Sequence, residues 1–150
     1  THFIEKYEGI AKWHKKLGEE AMRMEKITTP SGRQYAFPDV VRKGEDKFSH
    51  FTMIKNYPVQ GFATGDIVPI VLLEIDKALS PLQSCLVNTV HDSVVIDVHP
   101  LEEHKVILLL KGINDNLKNI IESYFDIDLV VPMLLEAKIG NNWLDTKDVP

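Results

Sequence analysis

Residues 88–98 read NTVHDSVVIDV, with His91, Asp92 and Ser93 set between two runs of strand-forming residues. Val87, Val90, Val94, Val95, Ile96 and Val98 suit a pleated, half-buried surface. Aspartate is depleted inside strands, and its charge is costly to bury. At the tip of a hairpin the carboxylate leaves the core and reaches solvent while the two arms stay anchored. Mg²⁺ is a hard ion that takes oxygen ligands, often one or two carboxylates completed by water and phosphate. Asp92 would supply one of them. The plainer alternative is a turn aspartate whose side chain caps the local backbone. His91, Asp92, His99 and His104 also raise a histidine-based metal hydrolase. Extended chain advances about 3.3 Å per residue, however, so His99 lies roughly 25 Å of strand beyond His91.

The elements that must position such a tip can be read from periodicity. Phe3, Tyr7, Ile10, Ala11, Trp13, His14 and Leu17 predict a helix over 3–24, with Gly18 a point where it bends or ends. Lys26–Thr29 and Arg33–Phe37 flank Pro30-Ser31-Gly32, which predicts a hairpin. Residues 38–47 read as a loop and 47–55 as a short helix or turn. Tyr57 precedes Pro58 and is expected to be extended; Gly61 permits close backbone approach. A helix follows from about Thr64 to Ala78, with Pro69 expected to kink it, then a turn at 80–84. The opening hairpin spans 85–98. Val106, Leu109, Leu110, Ile113, Leu117, Ile120, Ile121 and Tyr124 share one face of a helix over 103–124. Val131–Ile139 alternates as a last strand, Gly140-Asn141-Asn142 turns the chain, and Trp143 is expected to anchor the tail. Strand, strand, long helix, strand indicates an α+β fold with a single-sided antiparallel sheet under helices. No internal linker is visible, so residues 1–150 are read as a single unit.

Composition narrows the class. An apolar share of 44% supports a sizeable core, and 26% charged residues is ordinary for a globular protein. The lone Cys85 excludes an internal disulfide framework and favours a reducing compartment. No signal peptide is seen, and the apolar run near 67–75 is too short to span a membrane. Net charge is −5, but residues 1–60 carry a balance of +3 and residues 61–150 one of −8. The total argues against a free-standing nucleic-acid binder, since phosphate neutralisation drives such binding. The asymmetry leaves room for a mildly basic first part near a polyanion and a second part that holds cations.

Taken in order, these stretches resemble a family A DNA polymerase, the DNA polymerase I-like group. NYPVQGFATGDI is similar to the family's Asn-x-Pro-x-Gln-Gly-Thr-Ala-Ala-Asp segment, and VHDSVVIDV to its motif C, usually Val-His-Asp-Glu. VPMLLEAKIGNNWLD is similar to its closing strand and Gly-x-x-Trp tail. The resemblance covers nearly the whole chain. It implies the end of the fingers, as an N-terminal helical segment, followed by an antiparallel palm-type sheet with helices packed on one face. It further implies DNA-directed DNA polymerase activity in replication or repair, in the cytoplasm of a bacterial or phage-infected cell. Two Mg²⁺ ions between two aspartates would activate the primer 3′-hydroxyl and neutralise the triphosphate. Asp92 matches the motif C ligand, and His91 the neighbour that supports the primer terminus. Gln60 matches the glutamine that tests pairing geometry in the minor groove, where acceptors are common to all base pairs. Asn56 matches a residue near template and primer; its other reading is a helix cap. Arg33 is expected to touch the DNA backbone, or else is an exposed hairpin arginine.

Departures from the family pattern qualify what the resemblance implies. Ser93 stands where the family usually has Glu, Thr64 and Gly65 where it has two Ala, and Thr52 where an Arg is common. Motif A with the second aspartate, the triphosphate-gripping helix and the thumb have no counterpart here. Asp66 should cap or start a helix, while Asp76 and Asp97 are poor substitutes for the second ligand. Two readings follow. One is an incomplete polymerase, inactive alone, whose partners are primer–template DNA, deoxynucleoside triphosphates and the remainder of the enzyme, with no membrane. The other is a non-catalytic DNA- or protein-interaction module that keeps the palm fold.

Overall fold

The computed structural model describes residues 6–149, and they form an α+β mixture of helices and short antiparallel strand pairs. The strands pair as four separate two-stranded ribbons rather than as one continuous sheet. Two compact units emerge, one ending at Asp66 and one beginning at Ile67. The boundary falls among helical residues, where no linker composition marks it.

In the first unit, helix α1 (Glu8–Met24) runs straight through Gly18. The expected Phe3 of its stripe lies outside the described residues. Gly18 is buried, and a Cβ there would collide with the Phe48 ring, so this glycine admits a close neighbour instead of ending the helix. Strands β1 (Lys26–Thr28) and β2 (Gln34–Ala36) pair with Ile27 opposite Tyr35. Gly32, at φ 83°, supplies the left-handed turn residue between them. Where a loop was expected, β3 (Arg42–Gly44) pairs with β4 (Lys47–Phe48). Helix α2 (Phe51–Asn56) closes a core of Leu17, Ala21, Ile27, Phe37, Val40, Phe48 and Ile54.

Tyr57 is not extended; it is helical at φ −62°, ψ −40°. The chain winds through Tyr57–Gly61 and Ala63–Ile67 in wider π-helical turns. A residue before proline avoids the helical region by local sterics. Here packing overrides that preference, because the Tyr57 ring lies 4.6 Å from that of Tyr35 and 5.8 Å from that of Phe37. Gly61 does provide the close approach expected of it, with the Tyr35 hydroxyl against its Cα. The helical residues Phe51–Leu79 make a run of 29, long and apolar enough by length and composition to cross a membrane. The run also contains Pro58, Pro69 and the ion-paired Asp66.

In the second unit, Pro69 is the second residue of α3 (Val68–Leu79) and follows directly on the π-helical turn Ala63–Ile67. Helix α3 packs on α4 (Glu103–Phe125), and Val71, Ile75 and Leu79 are buried, as are Val106, Leu117 and Ile121. Strands β5 (Cys85–Val90) and β6 (Ser93–Asp97) form the expected hairpin, with a register shift between Leu86 and Asn88. The strand expected over 131–139 is corrected: only β7 (Lys138–Ile139) pairs, with β8 (Lys147–Asp148). Residues 129–137 are instead tied to α4 by side chains. The Leu129 amide donates to Glu122 Oε1 at 2.8 Å, and the Leu135 amide to Asn114 Oδ1 at 2.7 Å. Alternation describes which faces a segment offers, but a strand also needs a partner edge. The glycine turn is as expected, since a Cβ on Gly140 would strike the Asp145 backbone. Trp143 anchors nothing: it is 68% exposed.

Candidate functional site

The β5–β6 hairpin narrows to a tip of His91 and Asp92, both exposed. His91 adopts φ 56°, a left-handed conformation that histidine tolerates better than most residues. This turns the chain within two residues and leaves Asp92 exposed at the turn. Asp92 makes no hydrogen bond or ion pair with the described residues. The capping alternative is thereby removed, because other side chains hold the tip. Ser93 Oγ donates to the Val90 carbonyl at 2.8 Å, and Thr89 Oγ1 to the Ser93 carbonyl at 3.1 Å. Ser93 is therefore a cap for the backbone of its own turn.

Asp92 alone offers one hard oxygen ligand, which suits half of a Mg²⁺ site completed by water and phosphate. No group of three His, Cys, Asp or Glu among the described residues could hold a metal ion. His99 and His104 thus do not assemble with the tip. His99 stands instead beside a different arrangement: its amide donates to Ser84 Oγ at 3.0 Å, and Ser84 Oγ donates to Glu102 Oε2 at 2.7 Å. Glu102 also accepts the Gln83 and Ser84 amides. The Ser84 hydroxyl first, then the Gln83 amide, hold the Glu102 carboxyl below the usual carboxylate range.

In the first unit, Asn56 and Gln60 lie four residues apart and their side chains meet. Asn56 Nδ2 donates to Gln60 Oε1 at 3.1 Å, and the Gln60 side-chain amide nitrogen of this exposed residue has no hydrogen-bond partner among the described residues. Thr64 Oγ1 donates to the Gln60 carbonyl at 2.7 Å. That hydroxyl ties the wide turn that carries Gln60. Tyr35 and Gly61 press together below the same turn.

Arg33 is more constrained than an exposed hairpin arginine. Its Nε donates to Asp66 Oδ1 at 2.8 Å, Nη2 reaches the same oxygen at 2.6 Å, and Nη2 also meets the Gly65 carbonyl at 3.3 Å. Asp66 Oδ2 accepts from Ser31 Oγ at 2.5 Å. The Asp66 side chain is only 4% exposed against 52% for Arg33. The hydrogen bond to Asp66 raises the guanidinium pKa further. Asp66 therefore does not act as a helix cap. It is the buried anion that binds the β1–β2 turn to the helical residues. Sequence reasoning missed this role because the partners are 33 positions apart. The available signal was a carboxylate at the head of the apolar run DIVPIVLL, since a buried charge requires a counterion.

Comparison with known proteins follows the same line. The profile of DNA polymerase family A matches residues 1–145. DNA polymerase I of Lactococcus lactis subsp. cremoris is 33% identical over 149 residues, covering 97% of this chain and 16% of that protein. The thermostable DNA polymerase I of Thermus aquaticus is 28% identical over 156 residues, covering 97% and 17%. The DNA polymerase of Bacillus phage SP01 is 28% identical over 145 residues, covering 95% and 16%. The chain spans about a sixth of the length of these relatives.

Proposed function

The chain belongs to DNA polymerase family A, and on that premise we propose that it is the C-terminal part of a DNA-directed DNA polymerase, acting in template-directed nucleotidyl transfer. The observation that carries this reading is the exposed, unpaired Asp92 at the end of a hairpin whose own backbone is capped by Ser93 and Thr89. Asp92 would be the motif C ligand of Mg²⁺, an ion that when bound lowers the pKa of the primer 3′-hydroxyl and neutralises the triphosphate. His91, adjacent on the same turn, supports the primer terminus. Gln60 donates to minor-groove acceptors, with Asn56 fixing the orientation of its amide through the 3.1 Å bond. Arg33 contacts a phosphate of the primer–template duplex. The second carboxylate and the grip on the deoxynucleoside triphosphate come from polypeptide outside these 150 residues, so the chain alone is inactive.

The test is primer extension by this chain mixed with a polypeptide carrying motif A and the fingers helix. Extension in Mg²⁺ is expected only in the mixture, and Asp92→Ala should abolish it. Extension by the chain alone would overturn its incompleteness. Full activity of Asp92→Ala in the mixture would remove the metal-ligand role. A second reading, a non-catalytic module that keeps the fold, is favoured by one observation: the Ser93 hydroxyl is committed to the Val90 carbonyl. Duplex binding by the mixture without extension would select it.

A further inference from the structure

Arg33 is held along one edge only. Its Nε and Nη2 both converge on Asp66 Oδ1, and Nη2 also meets the Gly65 carbonyl, while Nη1 makes no hydrogen bond among the described residues and the side chain is 52% exposed. The second Asp66 oxygen is taken by Ser31 Oγ, and Ser31 Oγ is in turn 2.8 Å from Thr29 Oγ1. Both carboxylate oxygens are thus fixed, so the anion cannot rotate away from the arginine. Stability alone is a poor reason for this arrangement, since an apolar pair of similar volume often serves a fold as well as a buried ion pair. A guanidinium fork can be gripped on one edge and still present donors on another, which lysine cannot do.

We propose that Asp66 is a positioning residue for Arg33: its buried carboxylate aims the free edge of the guanidinium at a DNA phosphate. The proposal rests on the reading of Arg33 as a backbone contact. The competing account is a latch, in which the pair only ties the β1–β2 turn to the helical residues.

The two accounts differ in sign. Asp66→Asn removes a negative charge near a polyanion, so Coulomb's law alone tightens binding. A latch lowers the melting temperature without weakening the folded protein's affinity. Positioning instead requires affinity to fall although a repulsive charge has gone. The experiment titrates a fluorescent primer–template duplex with the chain assembled with the polypeptide carrying motif A and the fingers helix, across a series of salt concentrations. Arg33→Ala is expected to weaken binding on the order of 10-fold and to reduce the salt slope by about 0.9. Asp66→Asn is expected to weaken binding to a similar extent, and the double variant no more than Arg33→Ala. In nuclear magnetic resonance spectra without DNA, the Arg33 Nε–H proton should be protected from exchange in the wild type and lost in Asp66→Asn.

Each outcome decides something. Unchanged affinity and salt slope in Arg33→Ala, or no duplex binding by the wild type, overturns the DNA contact and the proposal with it. Weakening in Arg33→Ala alongside unchanged or tighter binding in Asp66→Asn overturns positioning while the contact stands. Should Asp66→Asn fail to fold, Arg33→Lys keeps the charge without the fork. Loss of affinity in that variant supports positioning, and wild-type affinity overturns it.

Discussion

The unit ending at Asp66 and the unit beginning at Ile67 solve the same problem unequally. In the first, apolar side chains from α1, β1, β4 and α2 converge on one core, and its buried charge is paired. Its candidate DNA contacts, Arg33, Asn56 and Gln60, are held by partners within the unit. In the second, α3 and α4 bury a seam, but β5 leaves Val87 and Val90 exposed, and Val131 and Leu134 lie open beyond α4. A two-stranded ribbon is marginal by itself in water. The difference teaches where geometry is encoded. The frame around Gln60 and Arg33 is complete within its own unit, whereas the candidate ligand Asp92 rides on a ribbon that few side chains support.

The sharpest way to break this comparison is to attack the complete core. Ile54 is fully buried, so Ile54→Ala should cost about 2–5 kcal/mol, the range for such truncations. Chemical denaturation measures it, and a loss below about 1 kcal/mol would mean that this core is loosely filled. Next comes Gly18→Ala. Alanine is the better helix former, yet the added methyl meets the Phe48 ring, so overpacking should dominate at about 1–3 kcal/mol. A gain in stability would show that the ring can move aside.

These positions also show what the sequence made legible. Helix α4 and both long hairpins announced themselves, because stripes at helical spacing and Pro-Ser-Gly or His-Asp turns are local signals. The β3–β4 hairpin did not: its strands are two or three residues long, mostly charged, and only Phe48 is buried. The helical conformation of Tyr57 was misread because local sterics oppose it and only the distant Tyr35 and Phe37 rings impose it. Residues 131–137 carry a strand pattern but find no strand partner among the described residues. Within the candidate site, the Asn56–Gln60 pair was hidden by the same misreading of Tyr57, since side chains four residues apart meet only when the residues between them are helical. The Asp66–Arg33 contact was not legible either, because no periodicity links residues that far apart.

A smaller effect probes how the second unit is fastened. Glu102 gathers the Gln83 and Ser84 amides and the Ser84 hydroxyl. These bonds depress its pKa in the folded state below the ordinary carboxyl value of 4.5. A depressed carboxyl contributes stability that is present above the unfolded-state pKa and disappears as pH falls through the folded-state value. Melting temperatures should therefore decline on acidification below pH 4.5, and Glu102→Gln should flatten part of that decline. An acid limb identical in both proteins would show that this clasp contributes nothing.

The smallest expected effect is the most diagnostic of the contrast. Leu134 is 74% exposed, so Leu134→Ser should change stability by no more than about 0.5 kcal/mol, as surface substitutions do. The neighbouring tether explains why: residues 129–137 are held through the Leu129 and Leu135 amides, which a serine at 134 leaves untouched. A loss comparable to that of Ile54→Ala would mean that Leu134 is covered in the working protein. The inequality between the two units would then vanish, because the ribbon carrying Asp92 would share a core that this polypeptide does not complete by itself.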